Sequence, residues 1–430
     1  MGKRFNWTTG AKGLWVVALL LVVYSGGLFT AVFDGWPYKK AEALVTYIRA
    51  VLERDALDHD YLAFRYYPAR TLEKGVTVNK PAQRYEGLTL YAVADRMEAR
   101  LVDGQGKLVR RWRFTMWDLG ESQTPNPLFL RRVRLMQNGD LVALFRPMLA
   151  GRQPSGMMRA DATGKVQWVF KGHPAHHDFD VLSNGQVAVL TQQFAPQHPT
   201  APELDGPLII EELTLVDEAG QLVKTVSIID AFLHSPFKDR LLKLKEGHRA
   251  DGDLLHINSV HMLSAAEAAQ IPKAKAGDAL LGSLNLNGMV LLDMASQRIA
   301  GVFQKDFNGI HGPVIQSDGS IVFLENFGGG AHPDYRSALT RYNPATGQAD
   351  RFYIGTKDRP FFTDQRGMVV LLPNGNILAY ESNAGCIIEV TPAGELVWQY
   401  YNPDRIQDMI GVVFGGGRYP TRLETPVTLN

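Results

Sequence analysis

The sequence predicts an all-β chain: a β-propeller of six four-stranded blades, preceded by one N-terminal transmembrane helix and a short helix. Three observations carry this. Two classes of glycine turn alternate along residues 85–430, short apolar runs follow the turns, and one charge-free run of twenty residues stands near the start. A chain of 430 residues has length enough for one large propeller. Hydrophobic residues at 45% and charged residues at 21% build a core and exclude global disorder.

The elements follow in chain order. Residues 1–13, with Lys3, Arg4 and Lys12, read as a cytoplasmic tail. Leu14 to Phe33 reads LWVVALLLVVYSGGLFTAVF. As a helix it matches a hydrocarbon core of about 30 Å. A cleaved signal peptide has a shorter apolar region and a small-residue cleavage site, so a signal anchor is predicted, with cleavage near Ser25–Gly27 as the alternative. Lys39 and Lys40 nearly balance the positive charges of the tail. The short tail itself argues for a C-terminal part outside the cytoplasm. Residues 34–84 read as a helical or irregular lead-in. Within it Leu44, Val45, Ile48, Val51 and Leu52 mark one apolar face of a helix over 37–55.

From residue 85 the text repeats. Asn138-Gly139, Asn184-Gly185, Asp318-Gly319 and Asn374-Gly375 precede LVALF, VAVL, IVFL and ILAY. Asn-Gly and Asp-Gly tolerate positive φ and are strong hairpin signals. A second class, DGQGKLV, DATGKVQW, DEAGQLV, NPATGQ and TPAGELVW, alternates with the first. Two hairpins make a four-stranded unit whose period, Gly139 to Gly185 or Gly319 to Gly375, is 46–56 residues. That is a propeller signature. Blades are expected near 88–115, 131–170, 177–226, 256–303, 311–353 and 366–400. An insertion at 193–209 and a helix-like stretch at 264–275 interrupt the repeat.

Lys+Arg is 45 against Asp+Glu 44, so no basic excess points to nucleic acid. The single cysteine, Cys386, excludes an intrachain disulfide and a multi-cysteine metal site. It reads as a buried, inert residue of the last blade. The runs Gly328–Gly330 and Gly415–Gly417 read as flexible loops, outside any strand–helix dinucleotide context. Gln192–Pro207 reads as an ordered surface connection, and Lys238–Arg249 as a solvated basic helix.

The histidines carry the functional signal. His177 and His311 each stand eight residues before a hairpin glycine, Gly185 and Gly319. Arg131 and Gly367 hold the same place before Gly139 and Gly375, with Arg366 adjacent. His256 shares the apolar spacing of His177. Equal register means equal position in each blade, so His177, His256 and His311 converge at one channel mouth, near Asn258 and an arginine. Such a cluster suits metal binding, acid–base catalysis near neutral pH, or a nucleophilic imidazole. Spacing alone does not separate these.

These same segments resemble the bacterial arylsulfotransferase family of periplasmic propellers, the group that does not use the nucleotide sulfate donor. The matches are Tyr85–Leu90, His176–Gly185 (HHDFDVLSNG), Asp253–Val260 (DLLHINSV), Gly309–Gly312 (GIHG), Arg366-Gly367 with LPNGNILAYESNAGCIIEVTPAGELVWQY, and Arg418-Tyr419. The resemblance implies a six-bladed propeller that moves a sulfuryl group from a phenolic sulfate ester to a phenol through a sulfohistidine. It implies His311 as nucleophile, His256 and His177 as acid–base and sulfate-binding partners, and Asn258 on a sulfate oxygen. The motif matches add His176, Arg366, Arg418 and Tyr419 to the substrate-binding set. No cofactor and no metal are implied. The expected partners are a small aryl sulfate and a phenol, the membrane through residues 14–33, and a membrane protein. The expected location is the bacterial inner membrane, single-pass, with the propeller in the periplasm.

Three features depart from the family pattern. Leu284 falls where the family places a sulfate-binding arginine; Arg336, Arg366 and Arg418 are the candidate replacements. Gly312-Pro313 follows His311 instead of a polar residue. Residues 34–84 leave little room for the N-terminal β-domain that family enzymes can carry. The alternatives are a non-catalytic propeller scaffold or ligand-binding subunit at the membrane, and a metal-dependent hydrolase or lyase.

Overall fold

Apolar runs that do not alternate, such as VAVL and ILAY, need burial on both faces, and stacked sheets supply it. The computed structural model describes residues 65–120, 128–147, 155–204, 207–246, 252–326 and 336–421. The chain divides into units 1–61 and 62–430, and every described residue belongs to the second. The run 14–33, the helix over 37–55 and Gly328–Gly330 lie outside the described residues. No helix among the described residues is long and apolar enough to cross a membrane.

Six antiparallel sheets follow one another. Their innermost strands are Val413–Tyr419, Leu128–Leu135, Ala175–Val181, Ile257–Met262, Ile310–Ile315 and Met368–Leu371. Each innermost strand contacts the next, and the sixth returns to the first. Six apolar clusters fill the gaps between neighbouring sheets, including the gap from sixth to first. The result is a closed, propeller-like ring. The middle strands are buried on both faces, as in Ile377–Glu381 and Leu88–Val93. An outer strand such as Arg298–Gln304 alternates, because only one of its faces meets a neighbour.

Both turn classes hold glycine at positive φ, for instance Gly185 at 80° and Gly394 at 82°. The blade spans expected for the second to sixth sheets enclose the observed strands to within a few residues. The first sheet differs. Its innermost strand is the last of the chain, Val413–Tyr419, paired to Leu88–Val93 with Tyr419 opposite Leu88. A ring sealed by one sheet shared between distant segments leaves no open edge at the seam.

Two expectations are corrected. The lead-in contains strands at Tyr66–Pro68 and Gly75–Asn79. Tyr66–Pro68 pairs with Met409–Gly411, and Gly75–Asn79 adds a fifth strand to the sixth sheet on Leu396–Tyr401. The second glycine run is a strand and not a flexible loop. Gly415–Gly417 belongs to Val413–Tyr419, where a Cβ on Gly416 would meet the Leu90 carbonyl at 2.3 Å. Glycine is there for close approach.

A helix over Lys238–Glu246 forms as expected, with Leu241 buried against the third and fourth sheets. The helix-like stretch supplies one turn, Ala265–Ala268, closed by a capping box of Ser264 and Glu267. Cys386 is buried on the strand Cys386–Val390, and burial pushes its thiol up, which disfavours reactivity.

Candidate active site

The innermost strands are irregular at their leading ends. Register shifts fall between Leu130 and Arg132, Ala175 and Phe179, Ile257 and Ser259, His311 and Val314, and Phe414 and Gly417. A bulge re-aims the side chains around it. Here five bulges at one level of the ring turn Arg131, His177, Asn258 and His311 toward a common space. His177 and His256 have φ of 53° and 47°, left-handed values that non-glycine residues rarely adopt.

The three histidines share one small site. His177 and His311 line a cavity of about 40 Å³ together with Arg131, Asn258, Arg366 and Phe414. The His256 ring lies 4.9 Å from that of His177, centroid to centroid, and the His176 ring 5.1 Å from His177. Each ring is held by a different partner, and that sets its protons. Arg131 donates to His177 Nδ1 at 3.1 Å, which leaves the His177 proton on Nε2. His256 Nδ1 donates to Asp253 at 2.5 Å, and Asp253 also accepts from the His256 backbone N–H at 3.1 Å. His311 Nδ1 donates to the Gly309 carbonyl at 3.3 Å, which leaves Nε2 with a free lone pair.

Burial sets the charge states. It lowers His311 to about 4, with Arg131 and His256 acting in the same direction against the Gly309 carbonyl. It also lowers His177 well below the ordinary histidine value, helped by Arg131. His176 falls to about 3 through burial and the neighbouring Arg146. These three rings are neutral at pH 7. Burial works against the Asp253 carboxylate, yet the His256 hydrogen bond holds it below its usual range.

Gly312 shows why the residue after His311 is not polar. Its φ is 58°, and a Cβ there would meet the Val369 backbone nitrogen at 2.8 Å. Pro313 follows inside the bulge, where it has no N–H to leave unpaired. The sequence Gly-Pro is the backbone solution that brings His311 to the pocket.

The remaining expected site residues divide. Asn258 lines the cavity, but its Nδ2 donates to the Ile310 carbonyl at 2.7 Å and its Oδ1 accepts from Ser259 at 2.9 Å. It ties the fourth innermost strand to the fifth. His176 sits behind His177, its Nε2 donating to the Thr191 carbonyl at 3.1 Å. Arg366 is buried within 5.8 Å of both the Phe414 and Tyr67 rings and faces the pocket.

Arg418 and Tyr419 do not join the histidines. Arg418 is bonded to Glu389, to Thr89 at 2.9 Å and to the Tyr85 carbonyl at 3.1 Å. The Tyr419 hydroxyl accepts from the Leu135 N–H at 3.0 Å. Strand rise explains the separation: four residues beyond Phe414 is about 13 Å along the channel. Leu284 follows the second strand of the fourth sheet, where its N–H donates to the His256 carbonyl at 3.0 Å. Arg336 does not line the cavity.

Arg146 and Asp253 belong to the site and were not singled out as site residues from sequence. Arg146 pairs in register with Phe129, two residues before Arg131. Asp253 could have been read from the Asp-x-x-His spacing, which places a carboxylate beside the ring in a tight turn. Among the described residues no group of three or more His, Cys, Asp or Glu side chains is disposed to hold a metal ion.

Fold and site together define a propeller-like ring with a cationic, histidine-lined pocket at one mouth. The arylsulfotransferase (ASST) family profile matches residues 155–403, more than half of the chain, and the chain belongs to that family. No curated protein matches it. Among solved structures it is similar to a protein of unknown function from Bacteroides caccae, at 9% identity and TM-score 0.48 over 76% of this chain and 99% of that one. It is also similar to virginiamycin B lyase from Staphylococcus aureus, at 12% identity and TM-score 0.36 over 64% and 70%. Hydrazine synthase of Kuenenia stuttgartiensis matches at 9% identity and TM-score 0.42 over 78% and 90%.

Proposed function

We propose that this protein transfers a sulfuryl group from an aryl sulfate ester to a phenol through His311. The supporting observation is the convergence of three histidines beside Arg131 and Arg366, with the ring proton on Nδ1 in His256 and His311 and on Nε2 in His177.

His311 Nε2 carries the free lone pair and is the nucleophile. It forms an N–S bond as the S–O bond to the aryl group breaks. The leaving phenolate takes a proton from His256 Nε2, and Asp253 supports the imidazolium form that supplies it. The Gly309 carbonyl holds the Nδ1 proton of the sulfated ring. In the second half an acceptor phenol gives its proton to His256 and forms the new S–O bond. The N–S bond breaks and His311 returns to its starting form. His177, protonated on Nε2, donates to a non-bridging oxygen. The apolar run 14–33 anchors the chain in the inner membrane, with the ring in the periplasm.

The test is full-length protein in detergent, given p-nitrophenyl sulfate with and without excess phenol. The expected result is phenol-dependent release of nitrophenolate, with a sulfated His311 peptide by mass spectrometry when phenol is withheld. No release from folded protein across a panel of aryl sulfates would replace this reading with the scaffold one.

A further inference from the structure

Among the described residues no carboxylate hydrogen-bonds to Arg131 in the pocket. Arg131 makes one hydrogen bond among the described residues, to His177, and that partner is neutral. The nearest carboxylate, Asp178, is engaged elsewhere: it accepts from Arg132 at 2.7 Å and from the Val260 N–H at 3.2 Å. Arg366 approaches the same aromatic ring as Arg131, the two guanidiniums standing 5.8 and 5.3 Å from the Phe414 centroid. Arg146 adds to the positive potential from the second strand of the same sheet. Burial and then these two neighbours push Arg131 well below the usual arginine range. A guanidinium does not give up its proton in a protein, so the imbalance is a demand for an anion.

The geometry also says which part of a substrate meets it. Arg131 and His311 line one cavity of about 40 Å³, a size that suits a small oxyanion. Among the described residues of that lining, Arg131 has N–H groups left over after its bond to His177. Leu284, near His256, brings no charge.

We infer that Arg131, carried into the pocket by the bulge of the second innermost strand, binds the non-bridging oxygens of the transferred group in place of a cation at position 284. This rests on the sulfuryl-transfer reading for its substrate, but not for its charge. A fork of N–H donors fits two oxygens of a sulfuryl group at once. Arg366, beside the same Phe414 ring, adds to the positive potential. The same contact holds His177 in the tautomer that donates to a third oxygen.

The experiment compares full-length protein with Arg131→Met, Arg131→Lys and the double variant Arg131→Met with Leu284→Arg. Two readouts are used: kcat and KM for p-nitrophenyl sulfate, and inorganic sulfate binding by calorimetry. Arg131→Met is expected to lose roughly 10²–10³-fold in kcat and to lose sulfate binding, with its thermal transition kept. Arg131→Lys keeps part of both, because it keeps the charge and loses the fork. The double variant regains activity over Arg131→Met. Activity of Arg131→Met within threefold of the unaltered protein, while His311→Ala is inactive, would overturn the inference and leave the reaction standing. If the unaltered protein transfers nothing, sulfate binding decides alone: its loss in Arg131→Met supports the anion site, and equal affinity sinks it.

Discussion

At the leading ends of the innermost strands Arg131 hydrogen-bonds, among the described residues, to a neutral histidine alone and stacks on Phe414, yet one residue further along Arg132 has a carboxylate partner. It donates to Asp178 at 2.7 Å and to the Gly416 carbonyl at 3.0 Å. Two residues beyond that, Arg134 is paired with Asp180. The histidines differ in the same way. Burial pushes His311 down, whereas at the other end Glu267 at 2.8 Å and Asp180 overcome burial and raise His261. The strands line a second space of about 800 Å³ below the small pocket, and Arg132 and Asp178 border both. Large volume is therefore no guide to the site. At the wide end Arg132 and Arg134 are matched by carboxylates of the protein; at the narrow end Arg131 has no carboxylate hydrogen-bonded to it among the described residues.

The sharpest break of this comparison is His311→Ala, expected to lower kcat on the order of 10⁴-fold or more, with the thermal transition and sulfate binding retained. Asp253→Asn comes next. Asp253 acts through His256, so it is a positioning residue, and kcat should fall roughly 10²-fold while KM changes little. Asp253→Glu should recover part of the loss, which a purely structural role would not predict.

Acid sharpens the contrast in another way. Folded His311 takes a proton only near pH 4, whereas an unfolded histidine takes one near 6.5. Between those values the unfolded chain binds more protons, so stability falls as pH falls. The contribution is complete above pH 6.5, is lost toward pH 4, and is on the order of 3 kcal/mol. Urea unfolding at stepped pH should show this slope, and His311→Gln should make it shallower by one proton, with His176 and His177 supplying the rest. The smallest effect on activity is expected at the wide end. Arg134→Met should cost about 1–3 kcal/mol, because it removes a partner of the buried Asp180, and leave kcat unchanged; a loss of activity there would blur the distinction between the two ends.

Much of this was legible in sequence, and the reasons differ by element. Turns such as Asn184-Gly185 are local, since positive φ is a property of the residues themselves, so the repeat and its period could be read directly. The shared register of His177 and His311 worked because equal distance from a turn fixes equal height in a strand. Arg418 failed for the same physical reason. It lies at the opposite end of its strand from Phe414, and nothing in the sequence marks Val413–Tyr419 as the innermost strand of the first sheet. The Tyr66–Pro68 and Gly75–Asn79 strands were missed because their partners are more than 300 residues away.

By itself, then, the sequence determined the sheet repeat, the turn chemistry and which histidines share a level, because all three depend on neighbours along the chain. Tertiary structure alone decided which charges remain unpaired. Arg131 and Arg132 are adjacent and identical, and only the fold sends one to Asp178 and leaves the other facing His311.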